Sequence, residues 1–270
     1  MSPDSESHSA ASTVAVFTIV RDEPFHLSRW FDYYAAHFPT SSLHVLHHVT
    51  GAEEEADGQF AAALACFVPE NVVRVVNPHF CPAWLREIVH AQFGTLLLKY
   101  DAVLFAEADE LLVAVPPATL GSYAAAFVRS SQVAVRCVGY EMHHDFTREP
   151  PLDCSRPLLA QRSSWHRNVK YDKALLSKRP LQYSLGFHEC EEDVPQDDAL
   201  WLVHTHKYDF HEWLKRHEAR ARYAHSNDAI ANGWNAHYRT TGAALLPQYM
   251  NVPAALEPIP PWVREALVAL

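Results

Sequence analysis

Short apolar runs alternate with longer stretches of helical period through the first half of the chain. The first run, VAVFTIV at 14–20, has the length of a strand and is followed by apolar residues at helical spacing, among them Leu27, Trp30 and Tyr34. The same alternation repeats twice more. It predicts strands at 14–20, 43–49, 71–76 and 101–106, and helices around 27–38, 59–67 and 82–100.

Strands that alternate with helices are typical of βαβ units, so the chain is predicted to be an α/β protein with a mostly parallel central sheet and helices on both of its faces. The run at 101–106 (DAVLFA) contains no polar alternation after its first residue. A strand without alternation is buried on both faces, which predicts that this strand is central.

The second half of the chain is less regular. A helix to about residue 128 and a strand at 132–139 are followed by a stretch at 140–201 that is rich in His, Arg, Pro and acidic residues. A long stretch of poor periodicity in a compact domain is usually functional or loosely ordered. A short strand at 201–203, a helix at 210–224 and a last helix near 263–270 complete the prediction. The chain therefore divides into a disordered leader (1–12), an α/β half (13–130), an irregular half (131–225) and a C-terminal extension (226–270).

Composition excludes several classes of partner and location. The formal net charge is -10 and no basic stripe occurs, which argues against nucleic acid and anionic membranes as partners. The five cysteines are widely spaced without a CxxC pair, as expected of reduced thiols in the cytoplasm. The leader lacks the apolar run of a signal peptide, and no stretch approaches the about 20 apolar residues of a membrane span. We therefore expect a soluble, cytoplasmic protein without a transmembrane segment.

Two polar clusters follow predicted strands, Arg21-Asp22-Glu23 after the first and Glu107-Ala108-Asp109-Glu110 after the fourth. Ligands of parallel α/β sheets bind outside the carboxyl ends of the strands. In an extended segment Glu107 and Asp109 would point to the same side, where a divalent cation relieves their repulsion. The alternative is a polar strand end that caps the next turn. The apolar strand in front favours a metal and ribose site.

His204 and His206 also alternate on a predicted extended segment, and a neutral imidazole is a common metal ligand. One imidazole with carboxylates and phosphate oxygens suits Mn²⁺ better than Ca²⁺. A core or surface histidine pair is the alternative. Acids outside the strand ends are candidates for a general base: Glu189 is the first choice, and Glu141 and Asp145 are close rivals.

Five segments resemble, in order, those of family 2-like and family 92-like glycosyltransferases. They are VFTIVRDEPFHLSRWFDYY, LLLKYDAVLFAEADELLV, VAVRCVGYEMHHD, YDKALLSKRPLQYSLGFHE and LVHTHKYDFHEWLKR, within residues 14–220. The resemblance implies a GT-A fold, with a nucleotide-sugar-binding half at 13–130 and an acceptor and metal-site half at 131–225. The EADE segment stands where the family has Asp-x-Asp. Glu107 therefore stands where the family has the first Asp of that motif. His48 stands at the end of the second strand, where the family usually has an acid.

The resemblance also implies roles for individual residues. Asp109 and His204 would hold Mn²⁺ or Mg²⁺, with Glu107 near the ribose or the metal. The donor would be a nucleotide-diphosphate sugar, with UDP favoured and GDP possible, and the acceptor a glycan or a small molecule. The residues implied to contact the donor are Thr18, Arg21, Glu23, His48, Glu107, Lys173 and His188.

The predicted reaction is a single displacement with inversion, in which a carboxylate deprotonates the acceptor hydroxyl. Two other functions remain open. A metal-dependent nucleotidyltransferase would share the parallel sheet and acidic strand end, but such enzymes usually carry a Gly-rich basic loop after the first strand, and RDEP is not one. A degenerate, non-catalytic nucleotide-binding module is the second alternative.

Overall fold

The computed structural model describes residues 13–51, 53–56, 58–252 and 255–267, so the predicted leader at 1–12 lies outside the described residues. Within this part of the chain, ten strands form one sheet, against which the helices pack. The α/β prediction is confirmed.

The first half of the chain builds the parallel part of the sheet. Its strands are β1 (Val14–Val20), β2 (Leu43–Val49), β3 (Val72–Val76) and β4 (Ala102–Phe105), and its helices are α1 (Pro24–Ala35), α2 (Gly58–Leu64) and α3 (Pro82–Leu96). These strands pair in parallel in the order β3-β2-β1-β4. Every residue of β4 is buried, and β4 lies between β1 and β8 (Ala174–Ser177), so the prediction of a central fourth strand is confirmed.

The second half continues the same sheet in mostly antiparallel pairs. Its further strands are β5 (Glu110–Ala114), β6 (Ala134–His143), β7 (Ser164–Arg167), β9 (Gln196–Lys207) and β10 (Glu257–Pro258). Its helices are α4 (Leu120–Arg129), α5 (Phe210–Ala221), α6 (Asn227–Ala231), α7 (Leu245–Met250) and α8 (Pro261–Ala266). The path is β10-β7-β6-β8-β4-β1-β2-β3, and β9 pairs with both β5 and β6.

The sheet is therefore mixed, and the expectation of a mostly parallel sheet holds for its first four strands. The stretch at 140–201 contains β7, β8 and the start of β9, and β9 has twelve residues where the sequence predicts a strand of three. The start of β9 was not predicted because residues 196–199 are polar or exposed. β7 and β8 have only four residues each, which is too short to show a period.

The C-terminal extension packs into the domain. Val263 of α8 belongs to the main hydrophobic core, and β10 pairs with β7. Leu245 and Tyr249 of α7 form a second cluster with Trp213 of α5. Among the described residues, no helix has both the length and the apolar character that crossing a bilayer requires.

Candidate active site at the carboxyl end of the parallel strands

A cavity of about 350 Å³ opens at the carboxyl ends of β1 and β4. Because these two strands are parallel neighbours, the residues that follow them meet at one edge of the sheet. Arg21 and Glu23 follow β1, Glu107 and Asp109 follow β4, and all four line the cavity. Both polar clusters singled out in the sequence therefore belong to one site.

The residues after β4 form a tight turn instead of the predicted extended segment. The amide of Glu110 donates to the carbonyl of Glu107 at 2.9 Å, and β5 begins at Glu110. The turn separates the two acids. Glu107 pairs with the ammonium of Lys173 at 2.8 Å, whereas Asp109 contacts the two histidines of β9.

Asp109, His204 and His206 form a group that could hold a metal ion. One ligand atom from each side chain lies within 4.8 Å of the others. Nε2 of His204 is 3.7 Å from Oδ1 of Asp109, and Nδ1 of His206 is 3.3 Å from Oδ2. The backbone explains the convergence: Thr205 donates its amide and hydroxyl to the Asp109 carbonyl, at 2.8 and 3.0 Å.

Glu141 lies behind His204, on the other side of the imidazole from Asp109. It stands opposite His204 in the β6–β9 ladder, and its Oε1 is 3.3 Å from Nδ1 of that histidine. Burial disfavours its charged form, but hydrogen bonds from His166 and His204 hold the pKa of Glu141 well below its usual value. A carboxylate can only accept, so Nδ1 of His204 carries the proton, and in the neutral ring Nε2 then presents its lone pair towards Asp109. Metal-binding histidines are commonly oriented in this way.

Two arginines of α5 balance the acids of the cavity. Arg216 and Arg220 are four residues apart and so lie on one face of the helix. Arg216 bridges Glu23 and Asp109 at 2.7 and 2.9 Å, and Arg220 bonds Glu23 at 2.6 Å. Burial raises the pKa of Glu23, but the two guanidinium groups outweigh it and lower that pKa to about 2. Glu23 is therefore ionised at neutral pH.

Lys173 lies beneath the cavity, fully buried between Glu107 and Glu110. Its Nζ is 2.5 Å from Oε1 of Glu110. Burial disfavours its charge, yet the two carboxylates raise the pKa of Lys173 above its ordinary value. Its contacts hold the turn after β4 in place, and it does not line the cavity.

Aromatic rings form part of the cavity lining, together with aliphatic side chains such as Val20 and Leu85. The Tyr171 ring stacks on His204, with centroids 3.9 Å apart. This approach depends on Gly139 of β6, because a Cβ there would lie 2.4 Å from the Tyr171 carbonyl carbon. Elsewhere in the lining, the Arg21 guanidinium lies 4.1 Å from the centre of the Tyr223 ring. Tyr238, from the C-terminal extension, also lines the cavity.

The structure brings together most of the residues predicted to bind donor or metal. The predicted residues that line the cavity are Arg21, Glu23, His48, Glu107, Asp109, His188 and His204. Thr18 is fully buried within β1, and Lys173 lies beneath the cavity; neither lines it. Their roles in donor binding stay predictions.

None of the three predicted bases lines the cavity. Glu189 has an exposed side chain, and Asp145 accepts hydrogen bonds from Thr147 in a turn. Glu141 is buried behind His204. As catalytic bases all three stay predictions, and the geometry of the cavity favours none of them.

Sequence reasoning misses several residues of the site. His206 is one of them: of the two histidines, the sequence predicts only His204 as a metal ligand. The His-x-His spacing was the available signal, since it places both imidazoles on the same side of the strand. The i, i+4 spacing of Arg216 and Arg220, on the helix directly after the histidine strand, is a second available signal. Nothing in the sequence points to Tyr171 or Tyr238, since both reach the cavity from irregular segments.

Comparison with known proteins leaves the family open. No protein-family model matches the chain, and no curated protein matches it. A crystal structure of S. aureus TarS 1-349 is similar with a TM-score of 0.40 and 13% sequence identity, covering 88% of this chain and 78% of that chain. A second crystal structure of S. aureus TarS has a TM-score of 0.40 and 12% identity, and covers 84% of this chain and 43% of that chain. A likeness of this size assigns neither a family nor an activity.

Proposed function

We propose that the protein is a metal-dependent glycosyltransferase that moves a sugar from a nucleotide-diphosphate sugar to an acceptor hydroxyl with inversion. One observation carries the proposal. A carboxylate and two imidazoles, from Asp109, His204 and His206, converge at the carboxyl edge of a sheet, in a cavity whose lining also includes arginine and tyrosine side chains. Its size of about 350 Å³ is within the range of small-molecule sites.

The side chains present fit a divalent metal. Two imidazole nitrogens and one carboxylate oxygen form a donor set that suits Mn²⁺ better than Mg²⁺, which prefers oxygen ligands. Glu141 already holds His204 in the tautomer that a metal needs. When bound, such an ion neutralises negative charge that develops on the leaving diphosphate.

Arg21 supports a phosphate-bearing ligand. Its Nη1 is buried and has no hydrogen-bond partner among the described residues, although the side chain lines the cavity. A buried donor without a partner is costly, and a diphosphate or ribose oxygen would satisfy it. The cations Arg216 and Arg220, in contrast, are already paired with Glu23.

A second cavity of about 220 Å³ adjoins the first, since Arg21 and His48 line both. Its walls are mostly polar and include His47 and Glu54. Two adjoining cavities match a ligand with two parts, in which the diphosphate lies near Asp109 and the nucleoside extends past His48 into the second cavity.

Calorimetry with UDP and GDP, with and without Mn²⁺, tests the proposal first. We expect one nucleotide to bind in a Mn²⁺-dependent manner, and Asp109→Asn to lose that dependence. Asp145→Asn is the matched control, because its carboxylate lies outside the cavity. Absence of Mn²⁺-dependent binding to the wild-type chain would overturn the proposal.

Turnover then separates an enzyme from a binding module. The nucleotide that binds identifies the donor series, and release of the free nucleotide diphosphate from its sugar conjugates measures transfer or hydrolysis. Binding without release for every donor tried would favour the non-catalytic module over the enzyme.

A further inference from the structure

We propose that the imidazole of His188 is the general base that accepts the proton of the acceptor hydroxyl. The inference rests on the proposed function and assigns to a histidine the role that the sequence assigned to a carboxylate. It is carried by the hydrogen bonding of the ring, by the loop that presents it and by its place in the cavity.

A backbone carbonyl fixes the tautomer of His188. Nδ1 of the ring lies 3.0 Å from the carbonyl oxygen of Lys170. Because a carbonyl oxygen can only accept, Nδ1 must carry a proton, and in the neutral ring Nε2 is then an unprotonated acceptor. A general base needs a free lone pair of this kind.

A tight loop turns His188 towards the cavity and Glu189 towards solvent. Gly186 and Phe187 have φ values of +80° and +60°, and the amide of Ser184 closes the loop by donating to the Glu189 carbonyl at 2.8 Å. The buried Phe187 ring anchors the loop against Phe105, the last residue of β4, with centroids 5.1 Å apart. A left-handed phenylalanine is strained, and such strain is concentrated at functional sites.

His188 and the candidate metal group share Tyr171 as a neighbour. Its ring centroid is 5.5 Å from that of Tyr171, and the Tyr171 centroid is 3.9 Å from that of His204. The two histidine rings are therefore no farther apart than the sum of these separations. Both histidine rings line the same cavity.

The carboxylates that line the cavity are less suited to the role. Among the described lining residues, Glu23 and Asp109 are paired with Arg216, and Glu107 with Lys173. Each of these carboxylates is therefore already bonded to a cation. Burial, with Lys173 nearby, lowers the pKa of His188, so the ring is neutral and able to accept at neutral pH.

The proposed step is balanced. As the acceptor oxygen forms its bond to the anomeric carbon, its proton moves to Nε2 of His188. The bond between the anomeric carbon and the diphosphate oxygen breaks, and its electron pair leaves with the diphosphate. The imidazolium later returns the proton to solvent.

The central variant is His188→Asn, whose amide can still donate to the Lys170 carbonyl but cannot act as a base. We expect nucleotide and Mn²⁺ affinities within about twofold of wild type, and a kcat for transfer lower by about 10²–10⁴-fold. Added imidazole should restore part of this loss. His211→Asn, at an exposed position on α5, is the matched control and should keep wild-type turnover.

Nitrogen NMR of the wild-type protein gives a test that requires no variant to fold. We expect the His188 ring to show a protonated Nδ1 and an unprotonated Nε2, and the reverse tautomer would overturn the inference.

The outcomes separate this inference from the proposed function. If the wild-type chain transfers sugar and His188→Asn keeps more than about a tenth of its kcat, or if Glu189→Gln loses the activity instead, His188 is not the base while the proposed function stands. If the wild-type chain neither binds nor turns over a nucleotide sugar, both are overturned.

Discussion

Nδ1 of His204 lies 3.3 Å from Oε1 of Glu141, while Nε2 of the same ring lies 3.7 Å from Oδ1 of Asp109. The imidazole thus connects a buried carboxylate to the cavity. This relationship distinguishes two functions for Glu141, because a residue that orients a metal ligand acts on metal affinity and a general base acts on the rate of transfer.

We therefore expect Glu141→Gln to weaken Mn²⁺ binding by about 10–100-fold, the usual effect of removing a carboxylate behind a metal-binding histidine. Titration of Mn²⁺ by calorimetry or electron paramagnetic resonance measures this. Asp145→Asn, at the other predicted base in the same segment, should bind Mn²⁺ as the wild type does. Unchanged Mn²⁺ affinity in Glu141→Gln, combined with lost turnover, would show that Glu141 acts as the base.

His206 is expected to be a metal ligand together with His204. Replacing it with Gln should reduce Mn²⁺ affinity at least tenfold, because one of three protein ligands is lost while the stacked position beside His204 is kept by a side chain of similar length. His211→Gln is the control, since its side chain is exposed. Equal Mn²⁺ affinity for the two variants would exclude His206 from the metal site.

Lys173→Met is expected to destabilise the fold by about 3–5 kcal/mol, because it leaves the buried carboxylate of Glu110 without its cation. Urea denaturation measures the change in the free energy of unfolding. The exposed Lys170→Met should change it by no more than about 0.5 kcal/mol.

A double variant isolates the cause. Lys173→Met with Glu110→Gln should recover part of the lost stability, because a neutral amide needs no cation and its oxygen can still accept from the Glu107 amide, as the carboxylate does at 3.0 Å. A double variant that is less stable than Lys173→Met would contradict this explanation.

His44, which does not line either cavity, is expected to make the stability of the fold depend on pH. Burial, with Lys99 nearby, lowers the pKa of His44 from 6.5 to about 4. As the pH falls below 6.5, the unfolded chain takes up the proton first, so the stability from His44 is full above pH 6.5 and is lost progressively towards pH 4. Because other buried histidines act in the same direction, the difference between variant and wild type is the informative quantity.

We expect His44→Gln to flatten the fall of the melting temperature between pH 6.5 and 4, since an amide can bond the Tyr100 hydroxyl but does not titrate in that range. His79→Gln, at an exposed position, should follow the wild-type curve. A parallel shift of the His44→Gln curve, without a change of slope, would contradict the prediction.

The sequence by itself determined the parallel half of the sheet and the two polar clusters of the site, which follow β1 and β4. β1 and β4 are apolar runs interrupted only by Thr18, whereas β2 also contains three histidines. A strand that is buried on both faces is predominantly apolar, so these runs predict β1 and β4 directly. Since ligands bind at the carboxyl ends of such strands, the apolar runs alone identify the residues after β1 and β4 as candidates for the site. The sequence also shows the alternation of His204 and His206, because residues two apart on a strand lie on the same face.

Only the tertiary structure decided how these residues are used. A tight turn directs Glu107 to Lys173 and Asp109 to β9, and hydrogen bonds between distant residues select that turn over an extended segment. Glu141 reads as a candidate base in sequence, yet the pairing of β6 with β9 places it behind His204. The periodicity of a sequence predicts which face of a helix or strand is buried. Packing across the whole chain decides how strands pair, in which register they pair, and what path is taken by irregular segments such as 233–239.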